Sequence, residues 1–120
     1  MQKFSKVSDI SREILILRGG AIGDFIVTLP VFAAIRAARP DVHIRLAAYS
    51  RMKSLALAAG IADSFESLDS ADCARLFVKP TEAVFSRGWL EKMKSAGTVI
   101  SFLSDPEGNV RGNLERTCTG

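Results

Sequence analysis

Apolar residues along this chain fall into continuous runs separated by stretches with helical spacing. A run over 14–18 shows no polar alternation, as expected of a parallel strand that is buried on both faces. The apolar residues of 25–38 recur at helical intervals, and Pro40 ends this pattern. A second apolar run, over 42–48, begins about 28 residues after the first, an interval typical of a strand–helix–strand unit.

The rest of the chain predicts shorter elements of the same two kinds. They are a helix over 50–59, a strand over 65–68, a helical turn over 69–75, an edge strand over 76–78, a helix over 82–95 capped by Thr81, and a strand over 98–103. Residues 1–13 form a polar leader, and 110–120 contains almost no apolar residue, so no element is predicted for either. Alternating strands and helices predict an α/β domain over 14–120, an open parallel sheet with helices on both faces.

One helical face can also be predicted. In the 25–38 helix, the apolar residues that lie roughly on one face are Ile26, Leu29, Ala33 and Ala37.

Composition narrows the classes of function. The 120 residues suffice for one domain, and 48% hydrophobic with 24% charged residues is ordinary for a globular chain. The net charge of +3 comes from scattered residues, so no nucleic-acid partner is expected, although an anionic small molecule or lipid headgroup is compatible with it. Cys73, Cys118 and His43 match no metal spacing. With no apolar leader and no membrane-length apolar stretch, we expect a cytoplasmic protein without a transmembrane segment.

The turn after the first strand reads Arg18-Gly19-Gly20-Ala21-Ile22-Gly23-Asp24. In open parallel sheets, ligands bind in the crevice beyond such a turn. A Walker A loop is excluded because Gly23 is followed by Asp24 where that loop needs lysine. A dinucleotide fingerprint is disfavoured because Arg18 takes the place of its first glycine, and 47–49 lacks the acid that binds a ribose hydroxyl.

Asp24 itself has two interpretations. It could be the N-cap of the helix, a position that favours aspartate. It could instead be an exposed general base at the carboxyl end of the strand, which would require a closed, desolvated site to work well. Because Pro30 disfavours a regular helix that starts near Asp24, we expect an irregular segment over 19–28.

Five short motifs follow one another in this part of the chain. They are the apolar strand 14–17 with Arg18, then Gly19-Gly20-Ala21-Ile22-Gly23-Asp24, Thr28-Leu29-Pro30, Ala34-Ile35-Arg36 and Arg39-Pro40-Asp41. Their order resembles glycosyltransferase family nine, the bacterial ADP-heptose:lipopolysaccharide heptosyltransferases. The resemblance covers residues 14–48 by motif and 49–105 only by the order of strands and helices.

This resemblance implies a Rossmann-like domain, the N-terminal half of a GT-B architecture. In that family the N-terminal half binds the acceptor, a lipid A–inner core saccharide, and the C-terminal half binds the donor ADP-heptose. Transfer inverts the anomeric carbon without a metal or cofactor. The residue matching the catalytic base is Asp24, and Gly19, Gly20 and Gly23 let the backbone approach the substrates. Family members are much longer, so the resemblance implies that the donor domain is missing here and that this chain alone is inactive.

Two further residues are candidates for substrate binding. Arg18 could contact a phosphate of the acceptor. Asp105, after the 98–103 strand, is expected at the same edge of the sheet as Asp24. Two alternatives remain open, namely a stand-alone Rossmann-like module that binds a nucleotide or anion at 19–23, and a non-catalytic remnant.

Overall fold

The computed structural model describes residues 2–5 and 13–119. Its strands and helices alternate along most of the chain. The strands are β1 (Gln2–Ser5), β2 (Glu13–Arg18), β3 (His43–Ala48), β4 (Ser64–Ser67) and β5 (Thr98–Ser101). The helices are α1 (Ile22–Ala38), α2 (Lys53–Ala58), α3 (Ala71–Arg75), α4 (Arg87–Ser95) and α5 (Asn109–Thr119), with a short 3-10 helix at Ser50–Met52.

The strands form one sheet in the order β1-β5-β2-β3-β4. The four strands from β5 to β4 run parallel, and β1 pairs antiparallel with β5. Among the parallel strands the order β4-β3-β2-β5 matches the 3-2-1-4 order of doubly wound nucleotide-binding folds. The predicted α/β class, a Rossmann-like open sheet, is therefore confirmed.

Helices cover both faces of this sheet. Because alternate residues of β2 point to opposite faces, this strand contributes side chains to both cores. Leu15 and Leu17 pack into a core with α3, α4 and α5. Ile14 and Ile16 pack into a second core with α1 and α2. A central strand with both faces buried explains why 14–18 reads as an unbroken apolar run.

The buried face of α1 differs from the predicted one. Phe25 and Phe32 enter the core, with ring centroids 5.9 Å apart, and Thr28 is buried between them. The Thr28 hydroxyl is satisfied inside the core because it donates to the carbonyl of Phe25 at 2.7 Å. Of the predicted face, Leu29 is partly buried against the same core, whereas Ile26, Ala33 and Ala37 are exposed. The two phenyl rings take the buried positions because they bury more apolar area than alanines do.

Three predictions about individual elements were wrong. The helix α1 begins at Ile22 and includes Pro30, so residues 22–28 are helical rather than irregular. No strand forms over 76–78, where successive N–H groups donate to carbonyls three residues back and continue the turn of α3. Helix α4 starts at Arg87, and its cap is Ser86 rather than Thr81 because the Ser86 hydroxyl accepts the N–H of Trp89 at 3.2 Å.

Two elements were not predicted at all. Part of the polar leader, Gln2–Ser5, forms β1 along the open edge of β5, whereas residues 6–12 lie outside the described part. The polar segment after 108 forms α5, which buries Val110 and Leu114. The same face of α5 buries Asn113, whose amide donates to the carbonyls of Leu76 at 2.9 Å and Val78 at 2.8 Å.

Candidate functional site

The glycine turn lies where the connections of the sheet change direction. From β2 the chain crosses to β3 on one side, and β5 pairs with β2 on the other. Ligands of open α/β sheets bind at this switch point, beyond the carboxyl ends of the strands. A pocket of about 240 Å³ opens there, and its walls are Arg18, Gly19, Gly20, Asp24, Phe102 and Ser104. Four of the site residues predicted from the sequence line this pocket, namely Arg18, Gly19, Gly20 and Asp24. The predicted Gly23 does not line it.

A larger groove, of about 450 Å³, lies beside the connection between α3 and α4. Its walls include exposed apolar side chains such as Val84, and its arginine, Arg75, is paired with Asp72 at 3.0 Å. The smaller pocket is the stronger candidate because it lies at the switch point, where open α/β sheets bind their ligands.

Gly20 allows the turn to close over the start of α1. Its φ is +84°, which places it in the left-handed region that residues other than glycine rarely adopt. A Cβ added at this position would lie 2.6 Å from Oδ2 of Asp24, far inside van der Waals contact. Gly20 therefore permits both the backbone conformation and the position of the Asp24 carboxylate.

A pair of glycine variants tests this requirement. We expect Gly20→Ala to lower the free energy of unfolding by about 1–2 kcal/mol, since alanine is strained in the left-handed conformation and its Cβ displaces the Asp24 carboxylate. Gly23→Ala is the matched control, because nothing lies within 4 Å of a Cβ added there. It should stay within about 0.5 kcal/mol of the wild type. Urea denaturation measures both values, and equal losses would contradict the special role of Gly20.

Asp24 is the third residue of α1 and not its N-cap, which is Ala21, so that interpretation was wrong. Its carboxylate nevertheless helps to start the helix, because the N–H of Ala21 donates to Oδ2 at 3.1 Å. The other oxygen, Oδ1, lies 4.0 Å from Nη2 of Arg18, beyond hydrogen-bond distance. The side chain is 58% exposed, so Oδ1 can accept a proton from a ligand in the pocket.

Arg18 ends β2 and reaches across the pocket floor. Its Nη2 donates to the backbone carbonyl of Asp24 at 2.8 Å, and its Nη1 donates to the carbonyl of Phe102 at 3.4 Å. The guanidinium also lies over the Phe102 ring, 5.5 Å from its centroid. Arg18 thus connects the first turn of α1 to the chain that leaves β5.

A second arginine holds the glycine turn from the β3 side. Nη2 of Arg51 donates to the carbonyl of Gly20 at 3.1 Å, and its guanidinium lies 5.0 Å from the centroid of the Tyr49 ring. The residue before it, Ser50, donates its N–H and hydroxyl to Asp69. These two bonds, the hydroxyl bond foremost, hold the pKa of the Asp69 carboxyl below its usual value. No local pattern in the sequence indicates the bond between Arg51 and Gly20, which are 31 residues apart.

The carboxylate of Asp105 caps the start of α5. Its Oδ1 accepts the N–H of Val110 at 3.0 Å, and its Oδ2 accepts the N–H of Arg111 at 2.9 Å. Gln2 of β1 adds a longer contact to Oδ2 at 3.4 Å. A role of Asp105 in binding substrate stays a prediction, and Ser104 forms the pocket wall at this end of β5.

Other classes of site were also considered. Within residues 2–5 and 13–119, no group of three or more His, Cys, Asp or Glu side chains is arranged to hold a metal ion. In the same residues, no helix has the length and apolarity needed to cross a membrane. Comparisons of the chain with protein-family models, curated proteins and solved structures gave no match.

Proposed function

We propose that this chain is the acceptor-binding domain of an inverting, metal-independent glycosyltransferase of the heptosyltransferase type, acting in the cytoplasm. The observation that carries the proposal is the carboxylate of Asp24. It lies in the wall of the switch-point pocket, one of its oxygens is held by the N–H of Ala21, and the other is available to a ligand. The resemblance of residues 14–48 to glycosyltransferase family nine supports the same assignment.

In the proposed reaction, Oδ1 of Asp24 takes the proton from a hydroxyl group of the acceptor saccharide. The hydroxyl oxygen attacks the anomeric carbon of the heptose from the side opposite the ADP. The new carbon–oxygen bond forms while the bond from the anomeric carbon to the phosphate breaks, and ADP leaves with that electron pair. One displacement inverts the configuration, and the bond from Ala21 keeps the base in one orientation throughout.

The size of the pocket favours the acceptor role. At about 240 Å³ it is smaller than the roughly 300–1,000 Å³ of sites that enclose drug-sized ligands, so it suits a sugar unit rather than a whole nucleotide sugar. We infer that a second domain presents the ADP-heptose. Closure of that domain would also exclude water from Asp24, which is 58% exposed, and a carboxylate is a more effective base in a dry site.

Nuclear magnetic resonance on the ¹⁵N-labelled chain tests this proposal without the donor. We expect a delipidated inner-core oligosaccharide to shift the amide signals of Gly19, Gly20 and Ser104, and ADP to leave them unchanged. Gly60, at the end of α2, is the internal control. Shifts caused by ADP alone would favour a nucleotide-binding module instead. No shift with the oligosaccharide, even at millimolar concentration, would reject the acceptor role.

A further inference from the structure

Besides its ion pair with Oδ1 of Asp24 at 4.0 Å, Arg18 makes three contacts within the chain. Two are hydrogen bonds to backbone carbonyls, one in α1 at Asp24 and one after β5 at Phe102. The third is the contact of the guanidinium with the Phe102 ring. A guanidinium is a planar fork of donors, so one side chain can bond two carbonyls from different elements at the same time.

The burial of Arg18 argues against a role as an open anion-binding group. Its side chain is only 14% exposed, and its Nε is buried without a hydrogen-bond partner among the described residues. Arg51, on the opposite side of the turn, is exposed and is the better placed of the two to meet an anion.

We propose that Arg18 is a positioning residue for Asp24 and not a ligand for the acceptor. This inference rests on the proposed function for the role of Asp24 as the base. Arg18 holds the backbone of Asp24 through its carbonyl, whereas Ala21 holds the side chain through Oδ2. Together the two bonds fix the carboxylate relative to β5, whose following residues, Phe102 and Ser104, form the opposite wall of the pocket.

Hydrogen exchange tests the mechanical part of this proposal on the chain as it is. In Arg18→Lys, a single ammonium replaces the fork, and we expect the amide of Phe25, which donates to Ala21 in the first turn of α1, to exchange about tenfold to a hundredfold faster. The far end of the helix should not change.

Arg36→Lys is the matched control for this experiment. Arg36 lies near the other end of α1 and also bonds two groups at once, the carbonyl of Val42 and the carboxylate of Asp63, both at 2.6 Å. This variant should speed exchange at the amide of Arg39, which donates to Ile35, and leave Phe25 unchanged. Wild-type protection of Phe25 in Arg18→Lys would show that Arg18 does not hold the first turn.

Kinetics tests the catalytic part, using the protein assembled with its donor domain. We expect Arg18→Lys to lower kcat about tenfold to a hundredfold and to leave the acceptor KM within about twofold. The loss should disappear in an Asp24→Asn background, because a positioning residue has no effect once the base is gone. A large rise in acceptor KM at unchanged kcat would overturn the proposal and make Arg18 a ligand.

The two measurements separate this inference from the proposed function. If the protein transfers no heptose, the exchange experiment still decides whether Arg18 fixes the first turn of α1. If transfer occurs but Arg18→Lys changes neither exchange at Phe25 nor kcat, only the positioning role is rejected.

Discussion

Asp24→Asn is expected to lower the proposed heptose transfer by about a thousandfold, the middle of the range for loss of a general base. The amide keeps an oxygen that can accept the N–H of Ala21, so the start of α1 should be retained, but an amide cannot take the proton of the acceptor hydroxyl. The measurement is ADP release from ADP-heptose in the presence of acceptor, with the chain joined to the donor domain that the proposed function requires.

Two variants make this result specific. Asp41→Asn removes another exposed aspartate, just beyond the opposite end of α1, and should leave transfer unchanged. Asp24→Glu restores a carboxylate that can cap the helix but moves it by one methylene, so we expect an intermediate loss. Undiminished transfer by a well-folded Asp24→Asn protein would remove Asp24 from the mechanism.

The largest effect on stability is expected from Phe32→Ala. Phe32 is 1% exposed and packs against Phe25 in the core beneath α1, so its removal leaves a cavity under the helix that carries Asp24. Replacing a buried phenylalanine with alanine costs about 3–5 kcal/mol. Domains of this size are stable by only about 5–15 kcal/mol, so the urea midpoint should fall markedly at an unchanged slope.

Val27→Ala provides the control on the opposite side of the same helix. Val27 is 71% exposed, and its truncation should change the free energy of unfolding by no more than about 0.5 kcal/mol. Comparable losses in the two variants would mean that the outer face of α1 is covered in solution and that Phe32 is not the main contact holding this helix.

The central part of the fold was predictable because its signal is local. An apolar run without alternation identifies a doubly buried strand, and glycines directly after it identify the turn that forms one wall of the pocket. The same stretch identified Asp24 as a candidate, but the irregular segment expected over 19–28 misplaced the start of α1. The sequence alone therefore located the residues of the candidate site that lie close together along the chain.

The remaining features depend on contacts between distant residues. Strand β1 is polar and short, and only the exposed edge of β5 makes it a strand. Helix α5 was missed because its buried face includes two polar residues, Asn113 and Thr117. The Asn113 amide donates to the carbonyls of Leu76 and Val78. The Thr117 hydroxyl donates to the carbonyl of Asn113 in the same helix. The bond from Arg18 to Phe102 joins two elements far apart in sequence, and no local pattern indicates it.

The place of β2 at the centre of the sheet also governs the order in which this domain can be assembled during translation. Its partner β3 follows closely in the chain, but its other partner, β5, is made only when residues 98–101 leave the ribosome. Until then one edge of β2 has unpaired backbone N–H and C=O groups, and such edges pair readily with strands of other chains. Nascent molecules are therefore most exposed to aggregation during the synthesis of the long segment between β3 and β5.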